Sequence, residues 1–183
     1  MNAIRLLLRQ HDEIEALLKN LAKSDEEGPR ARQEYLRLLT IALHAHLYIE
    51  EEIFYPAIAE QGVPALVERS YREHERCREL LNALKDASPE QFMDRLRALE
   101  DAVVQHAGDE EVDLFPEVKS LFGGAELEEL GARLEEAREQ FINAPMAEAR
   151  APDETTPGPP PDVPDEREQR PESPEGPSAG TPT

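Results

Sequence analysis

The pair His46 and Glu50 recurs as His106 and Glu110, and each pair opens the same longer phrase, His-x-x-x-Glu-Glu-x-x-x-aromatic-Pro. The first copy runs His46-Leu-Tyr-Ile-Glu50-Glu51-Glu52-Ile-Phe-Tyr-Pro56 and the second His106-Ala-Gly-Asp-Glu110-Glu111-Val-Asp-Leu-Phe-Pro116. Upstream, His11-Asp-Glu-Ile-Glu-Ala-Leu17-Leu18 matches His74-Glu-Arg-Cys-Arg-Glu-Leu80-Leu81, with both leucines in register. Four of the five histidines therefore fall on duplicated positions, which marks an internal two-fold repeat. Imidazole nitrogen and carboxylate oxygen are the borderline and hard donors that suit first-row metals. A set of four histidines and two glutamates has more ligands than one zinc uses and more nitrogen than calcium accepts. Two iron atoms bridged by two carboxylates fit the count.

Such ligands must be carried by elements that aim them at one another. On an α-helix four residues advance ~400°, so His46 and Glu50 share a face, as do His106 and Glu110. Apolar residues at Ile4, Leu7, Leu8, Ile14, Leu17, Leu18 and Leu21 predict a first helix over about 2–22. After a polar loop ending in Gly28-Pro29, a second apolar stripe runs through Leu39, Leu43 and Leu47 until Pro56 ends or kinks the helix. A third helix is expected over about 64–87. A fourth begins at Ser88-Pro89-Glu90-Gln91, a capping-box start, and runs to about 121. A fifth, more polar segment reaches about 142 and lies either along the bundle or against a partner. The expected fold is all-α: an up-down-up-down four-helix bundle over 1–122 with the internal repeat, an additional helix over 123–143, and a tail over 144–183. Eleven prolines among mostly acidic and small residues make that tail read as disordered.

With a histidine on each of four helices and a carboxylate on two, the chain resembles the hemerythrin-like, or HHE cation-binding, domains. The resemblance covers about residues 1–120, and its His…His-x-x-x-Glu pattern is present in both halves. It implies that His11, His46, Glu50, His74, His106 and Glu110 hold a non-haem di-iron centre, with Glu50 and Glu110 bridging together with an oxide or hydroxide. Respiratory hemerythrins have a further histidine one turn before the third-helix histidine, where this chain has Ser70. Their bridging aspartate lies five residues after the last histidine, where this chain has Glu111; helical phase favours Glu110 instead. By this count each iron keeps one open position. The resemblance then implies binding or turnover of peroxide, oxygen or nitric oxide, including catalase-like peroxide turnover, in preference to bulk oxygen carriage. The alternative is a metal-responsive module that signals its state to a protein partner through the fifth helix or the tail.

Tyr71, three residues before His74, has two readings: a donor or sixth ligand, and, preferred, a tyrosine packed at a helix interface. Glu51 and Glu111 either orient ligating imidazoles or are solvated, and both readings stay open. His44 points away from His46 and is excluded from the cluster. Cys77 aligns with Ile14 in the repeat and is expected to be a buried small apolar residue, and Phe54, Tyr55, Leu114 and Phe115 are expected to cover the bundle end. The net charge of −20 disfavours nucleic acid and anionic membrane surfaces as partners. One cysteine rules out an internal disulfide, and the first helix lacks the apolar run of a signal or membrane span, so a reducing cytoplasm is the expected compartment.

Overall fold

The computed structural model describes residues 1–24 and 26–144, and among these every regular element is helical. Helix α1 spans Ala3–Lys23; the Asn2 side chain accepts from the Arg5 N–H at 2.9 Å, satisfying one of its first-turn donors. It ends at Ser24, and the chain turns through Gly28, whose φ of 98° lies where a side chain is strained. Pro29 then starts α2, which spans Pro29–Ile49. Helix α4 spans Pro64–Lys85, and α5, opened by the expected Ser88–Gln91 capping box, spans Pro89–Asp109.

Pro56 does not end the second rod. The winding opens into a π-turn, π1, over Glu50–Phe54, and returns to α-helix as α3 over Tyr55–Ala59. The fourth rod does the same, with π2 over Glu110–Leu114 and α6 over Phe115–Leu121. The Tyr55 N–H reaches back to the Glu50 carbonyl and the Phe115 N–H to the Glu110 carbonyl, the i→i−5 bonds of π winding. Each proline then falls in the first turn of a new α-segment, where its missing N–H is tolerated.

The bundle core has two apolar layers. One contains Ile14, Leu18, Leu21, Leu39, Leu43, Leu81, Leu84, Leu96 and Leu99. The other contains Ile4, Leu7, Phe54, Ile58, Leu114, Phe115 and Val118. His11 sits on α1 between Leu7 and Ile14, so the repeated polar residues lie between two water-excluding layers. A fully buried leucine contributes roughly 1.5–3 kcal/mol, which is how the layers offset the burial of polar groups between them.

The fifth helix, α7 (Gly124–Asn143), packs along α1, α2 and π1 and adds Leu127, Leu130 and Leu134 to the second layer. Gly131 makes the close approach possible, since a Cβ there would lie 2.7 Å from the Ala3 nitrogen and against the Met1 carbonyl. Gly131→Val is therefore expected to force α7 off the start of α1, at ~1–3 kcal/mol. A thermal melt of the metal-free protein would show this as a fall of several degrees, and an unchanged midpoint would contradict the packing. The expected tail lies outside the described residues from 145 onward. Among the described residues no helix is long and apolar enough to cross a membrane.

Candidate metal centre

One donor atom from each of His11, His46, Glu50, His106 and Glu110 lies within 4.8 Å of all the others. α1, the α2–π1 rod and the α5–π2 rod supply them. His74, from α4, joins from the far side, its Nε2 3.2 Å from Glu50 Oε2 and 3.1 Å from His106 Nε2. All six residues are at most 4% exposed.

The direction of the hydrogen bonds shows what these groups present to one another. Every Nδ1 faces an oxygen acceptor: Glu111 for His11 at 2.9 Å, Gln10 for His46 at 3.0 Å, Glu51 for His74 at 2.8 Å and Glu73 for His106 at 3.3 Å. Each Nδ1 therefore donates, which turns the Nε2 atoms towards the centre as the nitrogens that would face a cation. Both Glu50 oxygens, Glu110 Oε2 and the Nε2 atoms of His11 and His46 are buried without a hydrogen-bond partner. This holds even though His46 Nε2 stands 3.2 Å from Glu50 Oε2 and His11 Nε2 3.4 Å from Glu110 Oε2. Buried acceptors that point at one another are expensive unless a cation or protons lie between them. The donor set and the unpartnered atoms fit a metal.

The electrostatics of the metal-free cluster follow the same logic. Burial pushes Glu110 up, and the nearby charge of Glu50 adds to the effect. Burial would also raise Glu50, but the imidazoles packed around it hold it well below the usual carboxylate range. Burial lowers His46 well below its ordinary value, so it is neutral. His106 is raised well above its ordinary value against the opposing effect of burial, because Glu110, Glu50 and Glu73 surround it.

The π-turns decide which neighbours join. In π winding residue i+5 returns beneath residue i, so Tyr55 comes round to the side of Glu50 and Phe115 to that of Glu110. The Tyr55 hydroxyl stands 2.8 Å from both Glu110 Oε1 and His74 Nε2, donating to the carboxylate. The Phe115 ring stacks on His11 with centroids 5.9 Å apart. Sequence reasoning missed Tyr55, placing it with the aromatics that cover the bundle end. The available signal was its register with Phe115 ahead of the duplicated proline. Tyr71 is the tyrosine at a helix interface: it is 40% exposed, bonded to the Glu51 carbonyl, with its ring against that of Tyr55. Tyr55→Phe is expected to destabilise the metal-free protein by ~1–3 kcal/mol, because a buried carboxylate oxygen loses its donor. Tyr71→Phe should stay within about 0.5 kcal/mol. Urea titrations of the two variants side by side check the contrast.

Glu51 and Glu111, left open by the sequence, both orient imidazoles, each across the repeat onto the other unit's histidine. Arg78 in turn holds Glu51, at 2.5 Å. His44 is half-buried outside the cluster, and Cys77 is fully buried in the first apolar layer.

The family model for the hemerythrin HHE cation binding domain matches residues 2–118 and, a second time, residues 71–156, the second match beginning beside the second unit's first histidine. A solved structure described as a hemerythrin HHE cation-binding domain-containing protein, the Rv2633c homolog from Mycobacterium kansasii, has a TM-score of 0.68 to this chain. It is 27% identical, and the likeness covers 78% of this chain and 88% of that one. The uncharacterized protein Rv2633c of Mycobacterium tuberculosis is 29% identical over 153 residues, which is 80% of this chain and 91% of that protein. A DNA nickase of Nostoc sp. is 28% identical over 143 residues, 77% of this chain but 40% of the nickase.

Proposed function

Because the chain belongs to the hemerythrin HHE cation-binding domain family, we propose that its buried cluster holds two iron ions and acts on a ligand of a few atoms: peroxide, oxygen or nitric oxide. The observation that carries this reading is the convergence of unpartnered Nε2 and carboxylate lone pairs in a layer without water access. The rings pair by repeat unit, His11 with His46 at 4.9 Å between centroids and His74 with His106 at 4.5 Å. Glu50 Oε2 reaches His46 of one pair and His74 of the other, both at 3.2 Å. Glu110 Oε2 reaches His11 at 3.4 Å and His106 at 3.9 Å. That arrangement supports a reading with two histidines for each ion and two carboxylates shared between them.

Bound iron would supply reversible electron transfer and open positions for a small ligand. The protein's own part is to fix the tautomers through Gln10, Glu51, Glu73 and Glu111, and to exclude larger molecules by burying every ligand. Tyr55 holds Glu110 in place by donating its hydroxyl to that carboxylate. Proposed compartment and chemistry agree, since a reducing cytoplasm keeps iron available in its ferrous form. The activity named for the nickase relative is not carried over, because the match spans 40% of that protein and a net charge of −20 opposes a polyanion.

Iron content and near-ultraviolet absorption of iron-loaded protein test the reading, with a His46→Ala, His106→Ala double variant alongside. About two irons per chain, and bands lost in the variant, are expected; a folded protein that takes up no iron would sink the proposal. A second reading, a metal-responsive module, draws on α7, which packs on π1 and shares an apolar layer with Phe115, the residue stacked on His11. Peroxide turnover by the iron form favours the first reading, and metal-dependent partner binding without turnover favours the second.

A further inference from the structure

The side chains behind the four imidazoles obey the repeat, with one break. His11 and His74 donate across the repeat to equivalent carboxylates, Glu111 and Glu51. His46 and His106 donate within their own unit, to the residue that precedes its first histidine. In the second unit that residue is Glu73. In the first it is Gln10, 2% exposed, with an amide nitrogen that has no hydrogen-bond partner. An amide has been buried at the place where the repeat carries a carboxylate.

The exchange changes what each histidine can do for a cation. A carboxylate behind Nδ1–H pulls on that proton and makes Nε2 a stronger donor, whereas a neutral amide orients the ring with less effect on its basicity. The His74–His106 pair is backed by two carboxylates, each also near an arginine: Glu51 by Arg78, and Glu73 by Arg69 at 3.7 Å. The His11–His46 pair is backed by one carboxylate, itself 42% exposed, and by the Gln10 amide. The aromatic at the π-turn deepens the difference, because Tyr55 places an oxygen beside His74 where Phe115 places a bare ring over His11.

We infer that the two metal positions are unequal: the His74–His106 position fills first, and Gln10 keeps the His11–His46 position the weaker, exchangeable one. Gln10 is a positioning residue that acts through His46. The inference rests on the two-metal reading above and deepens it by assigning the order of filling.

Anaerobic titration of the metal-free full chain with ferrous iron, followed by calorimetry, tests it, with anomalous diffraction from crystals given one equivalent to locate the first ion. Two separable steps are expected, with the first ion at His74–His106. Gln10→Glu, close to isosteric, should tighten the second step by roughly tenfold or more and draw the two together. Glu73→Gln should loosen the first step by a similar factor and leave the second in place, so the test survives if Gln10→Glu fails to fold. Two equal steps in the unaltered protein, a first ion at His11–His46, or second-step affinity unchanged in folded Gln10→Glu would each overturn the inference while leaving the two-iron site intact. Absence of any iron uptake would instead remove the two-metal reading on which it depends.

Discussion

Glu50→Gln is expected to abolish the stabilisation that metal confers on this protein while leaving the metal-free chain folded. A ligand present at 100 times its dissociation constant adds about 2.7 kcal/mol for each site, roughly 5–10 °C in the melting temperature of a domain this size. Glu50 is placed to carry most of that gain, since its Oε2 lies 3.2 Å from Nε2 of both His46 and His74 and 3.9 Å from that of His106. The amide has the same shape but lacks the charge a cation needs, so on the two-iron proposal both positions would lose a shared ligand. The amide keeps the shape of the group, so the packing of the metal-free chain is retained, although the attraction of Glu50 for the charged forms of His11 and His106 is lost. Melting curves with and without ferrous iron decide the matter. An equal rise for the variant and the unaltered protein would show that metal binds elsewhere.

Metal uptake should weaken steeply as the solution is acidified, and the reason lies in which ring nitrogens carry protons beforehand. The Nε2 atoms of His74 and His106 are 3.1 Å apart, a contact that requires a proton between them when no metal is present. His106 is raised well above 6.5 by Glu110, Glu50 and Glu73, and His11 is raised by Glu110, Glu50 and Glu111, in both cases against the lowering effect of burial. Each must release its Nε2 proton to solvent before that nitrogen can bind a metal. His46, lowered well below 6.5 by burial, has none to give. The sign follows: below the raised values both groups are protonated, and each proton displaced changes the apparent affinity about tenfold per pH unit. From pH 6.5 downward the expected loss is thus about tenfold to a hundredfold per unit, set by His11 and His106. The same two imidazolium groups contribute stability to the metal-free fold that is fully present below 6.5 and lost as the pH rises through their raised values. Metal-induced stabilisation should therefore grow with pH. Calorimetric titrations in buffers of different ionisation enthalpy count the released protons directly. A pH-independent affinity would mean that the lone pairs are already bare.

The six residues of the cluster were legible before any fold was known because helix geometry is short-range. A spacing of four sets two side chains on one face whatever the helix packs against, and a phrase that occurs twice excludes chance placement of its histidines. The capping box at Ser88–Gln91 and the apolar stripes of α1 and α2 are local in the same sense. The reading that Pro56 ends or kinks the helix was also local, and the helix does not end there for a definable reason. It assumed α winding up to the proline, whereas the chain had already opened into a π-turn at Glu50.

That turn also explains why Tyr55 went unrecognised. Five α-helical residues beyond Glu50 advance ~500°, pointing Tyr55 about 140° away from the ligand face. The i→i−5 bond from Tyr55 to Glu50 removes the offset and sends the phenol to His74 and Glu110, which belong to the other unit. Glu51 and Glu111 were ambiguous for a related reason, because their partners, His74 and His11, are distant in sequence. Phase along one helix cannot say what a neighbouring helix presents. The fifth helix had two open placements for the same reason, and the contact of Gly131 with the start of α1 decides between them.

The sequence by itself determined the donors, their number and their two-fold arrangement, since those depend on residue type and helical period alone. The tertiary structure alone decided which side chains hold the imidazoles from behind, which tyrosine reaches the cluster and where the repeat is broken, since those depend on helix-to-helix register and on a local change of winding that residue spacing does not encode.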